Sequence, residues 1–229
     1  MPILLLIAIL VAIFFLWPYP VLYPLKLLVV FFHESSHALM TVVTGGKVVE
    51  LVVNEMQGGH VISNGGNRFL TLSAGYLGSL VWGSVIYLLA VRSRYDKLLM
   101  MLLGLIIVAL CAFFVRNLFA LAFGAVVATT MLAIGAWASM EINDVVLRVI
   151  GATSMLYVPL DIYSDTIERS GLRSDAVMLA EEFGGTGMLW GGTWLALSVA
   201  LIVATLVLGL KITPRKVVQE VSRPDWSVD

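Results

Sequence analysis

The sequence predicts an all-α, multi-span membrane protein of six or seven transmembrane helices, with a small β-hairpin directly after its second helix. Three observations carry that expectation. The chain is 60% hydrophobic and 13% charged, with a mean hydropathy of +0.98; a soluble domain has about a quarter of its residues charged, and so few polar groups cannot cover a soluble globule. Apolar runs near the length of about 20 residues that crosses a hydrocarbon core fall at 3–17, 22–43, 69–91, 97–115, 118–139, 145–163 and 188–210. Between the second and third runs, residues 47–63 ("KVVELVVNEMQGGHVIS") switch to β-branched pairs around two glycines.

The first run ends in Trp17, Pro18, Tyr19 and Pro20, with no Lys or Arg before Lys26. A secretory leader begins with basic residues and ends in a small-residue cleavage site. Aromatic residues instead suit a membrane interface, so a retained span or signal anchor is expected. Its fate decides between six and seven crossings. The second run, 22–43, contains the polar cluster taken up below. In the segment 47–63, Val48, Val49, Val52, Val53, Val61 and Ile62 flank Gly58-Gly59, which predicts a hairpin. Beside a membrane such a hairpin must pair its edge groups, either at the interface or within the protein. The third run, with "SAGYLGSLVWG", carries small residues that permit close helix packing against the second. Arg116 and Asn117 alone punctuate the fourth and fifth runs, which demands a tight turn or an unusual packing.

Residues 164–187 are polar, and Ser174 is expected to start a short amphipathic helix, Asp175 to Phe183, ended by glycines. Residues 1–210 read as one integral membrane domain and 211–229 as a polar tail. Arg92, Arg94 and Lys97 in one short loop, and Lys211, Arg215 and Lys216 after the last run, mark one side as cytoplasmic, tail included. The formal net charge of -1 argues against nucleic acid as a partner. One cysteine, Cys111, excludes an internal disulfide and a cysteine-based zinc site. The lipid bilayer is an expected partner, and the oligomeric state is not encoded in any motif.

Chemistry concentrates in "FFHESSHALM". His33 and His37 are four residues apart, so on a helix both imidazoles reach one ion from one face. Glu34 lies beside them. This H-E-x-x-H spacing binds Zn²⁺ through the histidines and uses the glutamate as general base. Ionisable groups at the centre of a membrane helix cost several kcal/mol unless they are paired or coordinated, which favours a metal site over an unmetallated polar network. A catalytic zinc site takes a third protein ligand. His60 fits a surface role on the hairpin. Asp161, in "VPLDI" after Pro159, is expected to turn inward where the proline kinks or ends the helix. Asp165, four residues on, is the alternative if the helix continues. Asn117 is either a turn residue or a substrate-binding amide that holds a carbonyl oxygen.

H-E-x-x-H early in an apolar helix, a glycine-containing β segment and a distal Leu-Asp together resemble the M50 site-2 protease family of intramembrane zinc metallopeptidases. "VPLDI" matches the family's Pro and Leu-Asp, with Ile162 where the family has glycine. "HESSHALMTVVTGGKV", "LSAGYLGSLVWG", "RNLFAL" and "SDAVMLAEEFG" look like blocks of its M50B-like branch. The resemblance implies Zn²⁺ as cofactor, His33, His37 and Asp161 as ligands, Glu34 as catalytic acid/base, and membrane-protein or peptide substrates. The intact Glu34 favours an enzyme over a non-proteolytic scaffold or regulator, or a metal transporter, since neither needs a general base.

Overall fold

The computed structural model describes residues 2–169 and 173–211; the polar tail beyond Lys211 lies outside the described residues. The chain forms α1 (Pro2–Leu16), a 3-10 turn at Pro20–Leu22, α2 (Tyr23–Val43), a hairpin of β1 (Lys47–Val53) and β2 (Gly59–Asn64), and α3 (Arg68–Arg92). There follow α4 (Asp96–Phe113), α5 (Leu118–Trp137), α6 (Met140–Tyr163) with a π-helical turn at Ser164–Glu168, α7 (Asp175–Phe183) and α8 (Gly187–Lys211).

Five of these helices, α3, α4, α5, α8 and α6 with its π turn, are long and apolar enough to cross a membrane. Ala8–Leu16 and Pro20–Val43 make a sixth if taken as one span, but the pair is bent by 115°. Among the described residues α1, with 15 residues, is short for a span of its own, and Pro18 and Pro20 break it from α2. Lys26 secures the bend, its Nζ lying 4.6 Å from the Trp17 ring centre and donating to the Trp17 carbonyl at 2.7 Å.

Local sequence sets the helix limits. The Asn67 side chain accepts from Leu70 N–H at 3.1 Å to start α3, and Ser139 accepts from Ile142 N–H at 3.3 Å to start α6. Pro159 neither ends nor replaces α6; the helix continues through it to Tyr163, so Asp161 reaches the interior from a continuous helix. The small-residue face of α3 packs two ways: Gly75 and Gly78 face α2, and Gly83 faces Gly151 and Ser154 of α6. Ser154 also donates to the Ser79 carbonyl at 2.7 Å across that contact.

The hairpin forms as expected, but its turn is Asn54–Gly58 and not the glycine pair. Asn54 Oδ1 accepts from Met56 and Gly58 N–H at 2.9 and 3.1 Å, and Gln57 takes the left-handed conformation. The hairpin lies along α2. Its base is held where Gly46 N–H donates to the Thr41 carbonyl at 2.8 Å, and its tip where the Tyr23 hydroxyl donates to the Glu55 carbonyl. β1 is buried at Leu51 and Val53, while β2 stays largely exposed. The short turn between α4 and α5 completes the outer edge of β1: Leu51 N–H donates to the Phe114 carbonyl at 2.9 Å and Arg116 N–H to the Leu51 carbonyl at 3.3 Å. That pairing is what the tight 113–118 connection accomplishes, since strand edges in an apolar setting need partners.

Helix contacts fix the two ends of the bundle. Lys97 meets Gly135, Tyr87 meets Gly209, and Arg148 with Asp144 sits near Tyr87, so the basic loop 92–97 and Lys211 share one end. The hairpin base, the polar segment after α6 and the start of α8, where Gly191 meets Thr166, share the other.

Candidate metal centre

His33, Glu34 and His37 lie on the buried face of α2. The helical spacing puts the two imidazoles together, with His33 Nε2 and His37 Nε2 3.0 Å apart. Asp175, the first residue of α7, brings its Oδ2 to 3.1 Å from each of them. The three donor atoms form a nearly equilateral triangle. A tetrahedral ion with bonds of about 2.0 Å has ligand edges of about 3.3 Å, so the triangle fits one face of such an ion's shell. Two imidazoles and one carboxylate are also a donor set that zinc takes.

Three further features support the fit. His37 Nδ1–H donates to the Thr71 carbonyl at 2.7 Å, which fixes the ring and leaves Nε2 free to ligate. The His33 ring meets the edge of the Tyr76 ring at 4.8 Å. Gly75 of α3 closes the third side: a Cβ there would stand 2.5 Å from His37 Nε2 and 2.6 Å from His33 Cε1. Only a glycine leaves the space in front of both nitrogens open. Burial opposes ionisation of Asp175, but His37 and His33 outweigh it and hold the carboxyl well below the usual carboxylate range.

Glu34 is buried beside the triangle without joining it. Its carboxylate packs on the hairpin, where a Cβ on Gly59 would lie 2.6 Å from Oε1. Among the described residues no hydrogen bond holds it, so it is available to a water or substrate. A cavity of about 430 Å³ joins Glu34, the donor triangle and β2.

The carboxylate that meets both histidines is Asp175, where the sequence points to Asp161 or Asp165. Asp161 lines the same cavity but is not part of the triangle, and its Oδ1 stands 3.8 Å from Arg169 Nη2. Asp165 also lines the cavity, bound by the Tyr76 hydroxyl and by Arg169 at 2.7 Å. The reason is geometric: Asp161 is near the end of α6, whereas α7 folds back so that its first residue meets α2. The signal for Asp175 was present in the sequence as an acid on the apolar face of an amphipathic helix, one residue from Ala176 and four from Leu179, both fully buried. His60 lines the cavity but is half exposed and 3.8 Å from Glu50, consistent with its hairpin role.

Asn117 does not line the cavity. Its Nδ2 donates to the Val53 carbonyl at 2.7 Å, and its Oδ1 accepts from Val53 N–H at 3.4 Å. It acts as a piece of strand on β1, not as a substrate amide, because the residues before it already pair with Leu51.

A family model described as Peptidase M50B-like matches residues 6–205. No curated protein and no solved structure matches the chain. With α2, the hairpin and α7 all inside the matched range, this multi-pass membrane protein belongs to the Peptidase M50B-like family.

Proposed function

We propose that the chain is an intramembrane zinc endopeptidase that hydrolyses peptide bonds of membrane-protein substrates. The observation that carries this reading is the unengaged carboxylate of Glu34, buried beside three convergent donors in an open cavity. His33, His37 and Asp175 would hold Zn²⁺, which when bound supplies an activated water and polarises the scissile carbonyl. Glu34 takes the proton from the attacking water and returns it to the departing amine. Its burial limits the water that competes for that carboxylate.

The hairpin supports a route for substrate. In an antiparallel ladder, alternate residues turn their backbone groups toward and away from the partner strand. Asn54 N–H donates to the Gly58 carbonyl, while Leu51 and Val53 use their groups on the outer side of β1. By register, Gly59 and Val61 turn theirs away from β1, on the cavity side. An unwound substrate segment would pair there by strand addition. The β1 edge does not serve, because residues 114–117 occupy it. The end that carries the basic loop 92–97 and Lys211 is taken as the cytoplasmic one by the excess of positive charge there, and the cavity is then at the other.

The test is Glu34→Gln in purified, zinc-loaded protein. Peptide cleavage falls about 10²- to 10⁴-fold while zinc content, measured by elemental analysis, stays at the wild-type level. Undiminished cleavage rejects the reading.

A further inference from the structure

One wall of the cavity is left without a role by this chemistry. Asp161 and Asp165 stand one turn apart near the end of α6, both facing the cavity that holds the metal centre. The helix opens there into a π turn, closed by Arg169 N–H donating to the Ser164 carbonyl at 2.7 Å. Such turns are frequent at functional sites because they redirect side chains out of helical register. Here the turn brings the Arg169 guanidinium over the two carboxylates. It meets Asp165 at 2.7 Å and Asp161 at 3.8 Å, and rests on Ser164 Oγ at 3.1 Å.

The fit of that guanidinium is incomplete. Each oxygen of Asp165 accepts one hydrogen bond, Oδ2 from the Tyr76 hydroxyl and Oδ1 from Arg169. The Asp161 carboxylate has no hydrogen bond among the described residues and makes a long ion pair with Arg169. Arg169 itself remains half exposed. The other arginines of the cavity, Arg68 and Arg173, are engaged by Glu182 and Glu181 of α7. On this wall two carboxylates face a single guanidinium, which lies close to Asp165 and far from Asp161. A carboxylate facing a cavity with acceptor capacity to spare is completed by a cationic donor.

Resting on the peptidase reading, the geometry points to Asp161 and Asp165 as the subsite for a basic side chain of the substrate, with Arg169 occupying it until substrate arrives. The substrate class this selects is an apolar segment flanked by lysine or arginine, which is the composition of the ends of membrane spans. Arg169 is then a competitor within the chain, and Asp161, with its unfilled acceptors, is the stronger determinant of specificity.

The test measures binding and not turnover, so it does not depend on catalysis. Full-length, zinc-loaded Glu34→Gln protein in detergent is titrated with synthetic apolar peptides in which one lysine is moved along the segment, each against its acetyl-lysine counterpart. At one lysine position the lysine peptide is expected to bind about tenfold more tightly. Asp161→Asn removes that preference with zinc content unchanged, and Arg169→Ala raises lysine-peptide affinity several-fold, which a merely structural ion pair would not do. Equal binding of every pair, binding of neither, or loss of zinc in Asp161→Asn overturns the subsite. Loss of cleavage by the wild type alongside an intact lysine preference rejects the peptidase reading and leaves the subsite standing.

Discussion

Oδ2 of Asp175 stands 3.1 Å from Nε2 of His33, although 142 residues separate them. α7 is a nine-residue helix outside the spans, and its placement brings the third donor to the two histidines. Arg68–Glu182 at 2.9 Å and the Phe69–Phe183 ring contact at 5.4 Å tie its far end to the start of α3. Asp175→Ala is therefore expected to weaken zinc binding by more than about 100-fold, beyond the loss typical of outer-shell partners. Asp161→Ala retains the metal. Competition with a zinc chelator reads both, and zinc loss in the Asp161 variant alone would restore Asp161 as third ligand.

The space in front of the two imidazoles gives a second prediction. Alanine is favoured over glycine in a helix interior by about 1 kcal/mol, so Gly75→Ala has no propensity reason to unfold α3. Its methyl group would nonetheless enter the space between His33 and His37. The expected result is unchanged helical circular dichroism with zinc binding and cleavage both lost. A variant that binds zinc normally would show that the ion sits elsewhere.

Much of this arrangement was legible in the sequence, and the reasons differ by element. The H-E-x-x-H spacing is a local property of one helix, so His33, Glu34 and His37 could be placed together from numbering alone. Five of the seven apolar runs are helices long enough to span, and the hairpin follows from β-branched pairs on either side of two glycines. Asp175 could not be placed in the same way, because its role depends on how α7 folds back onto α2. Pro159 does not end α6 but is carried within it, and Asp161 faces the cavity as expected, from a continuous helix. Asn117 sat beside a tight turn, as its neighbours implied. That it would extend the sheet depended on β1 lying against residues 114–117, a contact more than sixty residues apart in sequence.

Strand addition at β2 makes a third prediction. Val61 N–H points away from β1 by register, so Val61→Pro removes a donor at the free edge without breaking a β1–β2 bond. Losing one hydrogen bond to substrate lowers cleavage by about 3- to 10-fold, with zinc content and thermal midpoint close to wild type. Cleavage at the wild-type rate would exclude main-chain capture at this position.

Asn117 gives the last prediction, one of stability. Its amide holds both the N–H and the carbonyl of Val53, at 3.4 and 2.7 Å, where β1 leaves the shelter of residues 114–116. Val53 is fully buried, so no water replaces a lost partner. Asn117→Ala leaves these two backbone groups unsatisfied, at a cost of about 1–3 kcal/mol for a buried group deprived of its partner. Asn117→Asp keeps an acceptor for Val53 N–H but sets a carboxylate against the Val53 carbonyl, so it is expected to destabilise more than alanine. Zinc affinity of the folded protein stays near wild type in both, because Asn117 lies outside the cavity. Thermal unfolding in detergent reads the order wild type, Ala, Asp. A carboxylate variant as stable as wild type would mean that the amide does not hold Val53, and that the outer edge of β1 is secured by Leu51 alone.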